Sequence, residues 1–210
     1  MKVFYILSLT LLIISLEGCF NKKEAVKPKF SQSVNNSSLW YKKHYRISEY
    51  KRKYHTGNEP ELMWQKASPY LSYIRKVFKH YQLPKELCLL PMIESSFNPN
   101  AANTRAAGLW QFIVPTAKEY GLKINFFSDQ RYDWKKSTVA AAEYLSKLAV
   151  RYNGDWALVL AAYNMGPGAL SRAMTAQSTN DYWQLKIRSE TMNYVPKFVA
   201  LLQIIREEAR

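Results

Sequence analysis

Downstream of residue 68 the apolar positions fall at helical rather than alternating spacing. After Ser68-Pro69, the residues Tyr70, Leu71, Ile74, Val77 and Phe78 lie on one helical face, which predicts a helix opened by that pair. Pro84 opens the run PKELCLLPMIESS, dense enough in apolar residues to predict burial on most sides and so the central helix of the domain. Pro91 within it predicts a kink, or a place where a turn is already open. Pro115-Thr116 predicts a short helix that ends before Gly121. Ser137 or Thr138 is the expected cap of STVAAAEYLSKLAVRY, whose alanines permit close helix–helix approach. Asp155 is the expected cap of DWALVLAAYN, stopped by Gly166-Pro167, and a last long helix is expected from Ser189 to the end, with Pro196 near its first turns. No run alternates long enough to build a sheet and no internal repeat is visible. The fold class expected is all-α, short helices joined by loops.

The first sixty residues read differently. MKVFYILSLTLLIISLEGC has one lysine, a continuous apolar run and then Leu16-Glu17-Gly18-Cys19, the pattern of a secretory signal over residues 1–18. Leu and Gly before the cysteine resemble the lipobox of bacterial lipoproteins, in which Cys19 becomes a diacylated N-terminus; an ordinary signal peptide is the alternative, because Glu17 is unusual in such a box. Phe20 rather than Asp after the cysteine resembles lipoproteins sent to the outer membrane, and predicts its periplasmic face as the location. Residues 20–40, rich in Lys, Asn, Ser and Gln, read as a flexible tether; residues 41–60 leave a peripheral helix undecided. The expected organisation is therefore a signal at 1–18, a lipidated basic tether and peripheral segment at 19–60, and a globular domain at 61–210.

Charge sharpens this division. The chain carries 30 Lys+Arg against 16 Asp+Glu, a net +14. Half of that excess lies within residues 1–60, which suits an anionic surface such as nucleic acid, phospholipid or an acidic wall polymer. The export signal removes nucleic acid from the choice. Cys88 sits among apolar neighbours in ELCLLPMIE and reads as a buried core residue rather than a nucleophile. The three histidines show no ligand spacing, so neither metal nor cofactor is expected.

The candidate chemistry lies at Glu94. A carboxyl at the end of a buried apolar helix is desolvated, and desolvation raises its pKa by disfavouring the ion. A carboxylic acid still protonated near neutrality can hand its proton to a leaving oxygen, as glycoside cleavage requires. SSFNPN then ends the helix, so the group would face an opening rather than the core. Taken alone, Glu94 reads rather as an exposed or ion-paired residue at a helix end.

Its company decides between these. ELCLLPMIESSFNPNA, AAGLWQFIVPTAKEYGL, STVAAAEYLSKL, DWALVLAAYNMGPGAL and SETMNYVPKFVAL form an ordered series, within a resemblance that covers about residues 65–205. The series resembles the catalytic domain of the soluble-lytic-transglycosylase (SLT) family of lytic murein transglycosylases, nearest to the membrane-bound D type. The resemblance implies a lysozyme-like helical domain of the goose-type kind, with a sugar-binding groove and Glu94 as its single catalytic acid. It implies peptidoglycan glycan strands as substrate, cleaved between N-acetylmuramic acid and N-acetylglucosamine with a 1,6-anhydro product. Gln111 would hydrogen-bond sugar from the groove wall with Trp110 packed beside it, although Trp110 is equally readable as core. Tyr163 and Asn164 would abut the glutamate, and Tyr194 and Glu190 would line the same groove. Read without the family, Tyr163-Asn164 is a helix stop and Glu190 a first-turn acid favoured by the helix dipole.

One loop departs from the pattern. Asn103 stands where the family commonly has a serine thought to hydrogen-bond the acid; the Asn103 amide could take that role. Arg105 in the same loop is either a contact for a stem-peptide carboxylate or simply solvated. Two rival functions share the fold: a lysozyme-type hydrolase, and a non-catalytic wall-binding lipoprotein. The protein is expected to act as a monomer, with the membrane met through its lipid anchor.

Overall fold

The computed structural model describes residues 38–57 and 59–208. The signal at 1–18, the lipidation site Cys19 and the tether up to residue 37 lie outside the described residues. The all-α class is as expected: α1 (Tyr45–His55), α2 (Glu59–His80), α3 (Pro91–Ser95), α4 (Val114–Glu119), α5 (Trp134–Arg151), α6 (Trp156–Met165), α7 (Pro167–Ala176) and α8 (Ser189–Glu208). Two miniature antiparallel hairpins interrupt them, β1 (Ala106–Ala107) with β2 (Phe112–Ile113), and β3 (Ile124–Asn125) with β4 (Ser128–Asp129).

The centre is α6 rather than the run after Pro84. Residues Trp156 to Ala162 are buried on every side of this helix, which packs against α5, α7 and α8. Asp155 caps it as expected, its carboxylate accepting from the N–H groups of Ala157 (2.9 Å) and Leu158 (3.1 Å). Gly166 ends it at φ 86°, a conformation a Cβ would strain. Ala140, Ala141, Ala142 and Ala149 of α5 are almost wholly buried, which is the close helix approach their small side chains allow.

Three further expectations need correction. Helix α2 begins well before Pro69, because Pro60 takes the first-turn position and the helix formers after it carry the chain through Pro69 at the cost of one backbone bond. PKELCLLPMIESS is two pieces: a 3-10 helix at Lys85–Leu89, then α3, with Pro91 opening the second instead of kinking one long helix. Helix α5 is capped by Asp133, which accepts from Lys135 and Lys136, whereas Ser137 and Thr138 are buried inside it.

The segment before residue 61 is not set apart from the domain. Helix α1 and the 3-10 helix Ser38–Tyr41 pack on α8, and Trp40, Ile47 and Tyr54 join the core. Trp40 meets Phe198 edge-on at 6.1 Å. Behind α8, buried Glu86 pairs with Arg206 at 2.7 Å. Cys88 is a core residue, 1% exposed, with its thiol pushed up to about 12 by burial.

Candidate active site

Glu94 is carried by the single turn of α3. Ser96 (φ 51°) and Phe97 (φ 56°) follow in the left-handed region, so the chain reverses at once and leaves the carboxyl at an edge. Phe97 drops into the core and stacks on Tyr70, while the Ser95 hydroxyl donates to the Leu109 carbonyl at 2.8 Å, tying α3 to the next loop. These contacts fix a half-buried Glu94 whose approach, Leu87 to Met92, is almost entirely core.

From the other side comes Tyr194 of α8, whose buried hydroxyl donates to Glu94 Oε1. Burial pushes the Glu94 carboxyl up to about 7; the Tyr194 hydrogen bond pulls it down, the charge of Glu190 adds to the rise, and Lys197 opposes it. The same burial, with the carboxylate alongside, holds the phenols of Tyr163 and Tyr194 well above their usual range, so both remain donors. The Tyr163 hydroxyl donates to the Trp110 carbonyl at 2.8 Å, linking α6 to the loop across from Glu94. The outcome is an acid divided between its protonated and ionised forms at neutral pH, able both to give and to take a proton.

Changing Tyr194 to Phe removes the donor that favours the ion, so the Glu94 pKa should rise further. The basic limb of the kcat/KM profile, set by loss of the protonated acid, is expected to move to higher pH than in the parent. A pH–rate series measures this; an unmoved limb would reduce Tyr194 to packing.

The groove loop is organised by Gln111 and Asn103, but not as the sequence suggested. Gln111 sits at φ 51°; its Nε2 donates to the carbonyls of Ala101 (3.2 Å) and Gly108 (2.9 Å), and its Oε1 accepts from Asn103 Nδ2 (3.2 Å). Both amide hydrogens are thus used within the loop, leaving an acceptor lone pair for a ligand. Asn103 Oδ1 accepts from the N–H groups of Arg105 and Ala106, closing a turn. Its amide therefore serves Gln111 and not the acid, and the donor to Glu94 is Tyr194. Trp110 is wholly buried, stacked on Phe78 and hydrogen-bonded to the Thr138 hydroxyl at 2.9 Å, so its side chain belongs to the core.

Asn164 and Glu190 meet at the end of α6. Asn164 Nδ2 donates to Glu190 Oε1 (3.1 Å), and Asn164 Oδ1 accepts from the Thr191 hydroxyl (2.6 Å). Arg188 closes the cluster, donating to the Asn164 carbonyl (2.9 Å) and to Thr191 (2.9 Å) and facing Glu190 at 3.7 Å. Arg188, Thr191 and Lys197 were not foreseen; Arg188 and Thr191 reach Asn164 only when α8 docks on α6, and Lys197 acts on Glu94 through its charge. Among the described residues no group of three His, Cys, Asp or Glu side chains could hold a metal ion.

Residues 72–186 match the family model described as the transglycosylase SLT domain, a span that contains Glu94, Gln111, Tyr163 and Asn164 and stops before α8. The chain is 39% identical over 172 residues to membrane-bound lytic murein transglycosylase D of Escherichia coli K12, an alignment covering 79% of this chain and 38% of that relative. It is 34% identical over 105 residues to peptidoglycan transglycosylase gp16 of Escherichia phage T7, covering 49% of this chain and 8% of that one. The chain thus spans well under half the length of these curated relatives.

Proposed function

The chain belongs to the transglycosylase SLT domain family, and on that footing we propose that it cleaves peptidoglycan between N-acetylmuramic acid and N-acetylglucosamine without consuming water. The observation that carries the reading is a single carboxyl group, Glu94, raised to about 7 at the end of a buried turn and held by a phenol. Glycosidases with two catalytic carboxylates divide acid and nucleophile between them. Here the other carboxylate felt by Glu94, that of Glu190, is engaged by Asn164 and Arg188, which suits a wall residue better than a free base.

A lone acid suffices if the substrate supplies the nucleophiles. Glu94 first protonates the leaving oxygen while the muramic 2-acetamido oxygen attacks the anomeric carbon, spreading its positive charge into an oxazolinium. The resulting carboxylate, with Tyr194 donating to it, then takes the proton of the muramic C6 hydroxyl. That hydroxyl closes on the anomeric carbon to give the 1,6-anhydro product. An intramolecular hydroxyl has an effective concentration far above any dissolved alcohol, which lets it outrun solvent in a closed groove. Gln111, Tyr163 and Asn164 hold the walls between which the sugar lies.

The same reading puts the chain in the bacterial envelope, held by a diacylated Cys19 at the periplasmic face of the outer membrane. Its relative's name, membrane-bound, supports the association. Mass spectrometry of digested sacculi tests the chemistry: anhydro ends, lighter by one water than reducing ends, are expected. Reducing ends alone would make the protein a hydrolase, and no product at all would make it a wall-binding module.

A further inference from the structure

The β3–β4 hairpin presents two phenyl rings to solvent. Phe126 is 96% exposed and Phe127 92%. They do not sit on a loose loop. Asn125 Oδ1 accepts from the N–H groups of Phe127 and Ser128, both at 2.9 Å, which pins the turn. At the base, Gln130 bonds Lys123 through both its side chain and its backbone. Arg131 then grips Asp129 at 2.6 Å and reaches the Phe112 carbonyl at 3.2 Å, strapping the hairpin to β2. A braced hairpin that holds two adjacent aromatic rings in water has the form of a contact device.

We propose that this tip is a peripheral membrane contact, its two rings entering the interfacial layer of an anionic bilayer. The rings lie 5.2 Å apart at 87°, so they make a narrow wedge rather than a plate on which a sugar ring could lie flat. Two such side chains offer about 150–250 Å² each, well short of the roughly 800 Å² per partner that a stable protein interface needs. A bilayer needs no complementary pocket. Charge points the same way: Asp129 and Asp133 are already paired with Arg131 and Lys136, so within residues 118–136 exposed Lys118, Lys123 and Lys135 stand against Glu119 alone. Such a surplus favours an anionic surface. No helix among the described residues is long and apolar enough to cross a membrane, so contact made by them is of this shallow kind. A lipid on Cys19, where present, would keep the tip near a bilayer at high effective concentration, and a weak wedge then suffices. Because the hairpin is strapped to β2, beside Gln111, insertion would fix how the groove faces the membrane.

The test uses the full chain with Phe126→Trp, an aromatic exchange at a highly exposed position, and Lys85→Trp as an exposed control. Each is mixed with vesicles of phosphatidylethanolamine and phosphatidylglycerol whose acyl chains are plain or brominated. Subtracting the parent leaves the reporter's own emission. At Phe126→Trp that emission is expected to fall at least twofold in brominated vesicles, with little change at Lys85→Trp. Equal emission in the two vesicle types, or equal quenching at both positions, would overturn the proposal. So would a Phe126→Trp response to purified peptidoglycan in place of lipid, which would make the occupant a glycan. The double variant Phe126→Ser/Phe127→Ser should keep full turnover of soluble glycan, which separates this proposal from the role given to Glu94.

Discussion

Replacing Glu94 by Gln is expected to cut turnover of peptidoglycan by roughly 10²- to 10⁴-fold, the range set by loss of one general acid–base, while glycan binding and fold survive. The carboxamide has nearly the shape of the acid, and its oxygen can still accept from Tyr194, so α3 and α8 stay joined. What it lacks is a proton to give and a lone pair basic enough to take one back. Stability should move the other way. The folded-state pKa of Glu94 lies above its ordinary value, so the wild type is favoured at low pH and loses that advantage as pH rises from 4.5 through about 7. Above that window Glu94→Gln, which has nothing to ionise, should be the more stable protein, by up to roughly 3 kcal/mol. Urea melts at pH 5 and pH 8 measure the crossover, and activity on sacculi measures the chemistry. A variant that retained even a tenth of wild-type turnover would remove Glu94 from the mechanism.

Gly108→Ala is expected to be the most damaging single-methyl change near the groove. A Cβ at this position would stand 1.8 Å from the Arg131 carbonyl oxygen and 2.6 Å from its carbon, and φ is +83°. The obstruction is backbone, so no side chain can rotate aside. Either the β1–β2 loop or the segment at Arg131 must move. Gly108 also accepts from Gln111 Nε2 and donates its N–H to Ala101, so the displacement would break the loop that presents Gln111. A loss of more than about 3 kcal/mol in unfolding free energy is expected, within the range of backbone strain combined with overpacking. Soluble yield and the urea midpoint report it. A near-neutral Gly108→Ala would mean that this stretch is looser than the close contact implies.

Much of the helical layout was legible because local chemistry decides it. Asp155 and Gly166-Pro167 bracket α6 through a cap and a left-handed stop, and both signals lie in adjacent residues. Where the sequence misled, the deciding contact was less local. Helix α7 was overlooked because Pro167 reads as a terminator, although a proline that ends one helix can occupy the first turn of the next. The cap of α5 was placed too late because Trp134-Lys135-Lys136 shows no apolar stripe, and the hydroxyl of Thr138 is spent on Trp110 inside the helix.

Within the site the same division holds. Glu94 could be read only with the ordered series of motifs beside it, since its apolar approach and the turn after it fit a plain helix end as well. The hydroxyl that meets it could not, since Tyr194 lies 100 residues away and arrives only through packing of α8 on α3. Asn103 suggested a donor to the acid only through the family resemblance, which has a serine there; the turn it closes with Arg105 and Ala106 aims its amide at Gln111 instead. Arg188 gave no local sign of its part, because its partner Asn164 lies at the end of α6, 24 residues earlier in the chain.

The central claim is that one carboxyl group is still partly protonated near neutrality and so can serve in turn as acid and base. Carbon-13 NMR of the glutamate side-chain carboxyls, with Glu94→Gln to assign the resonance by its disappearance, follows that group through a pH titration. A midpoint about 7 is the result predicted; a midpoint near 4.5, with the side chain ionised throughout the neutral range, would contradict it.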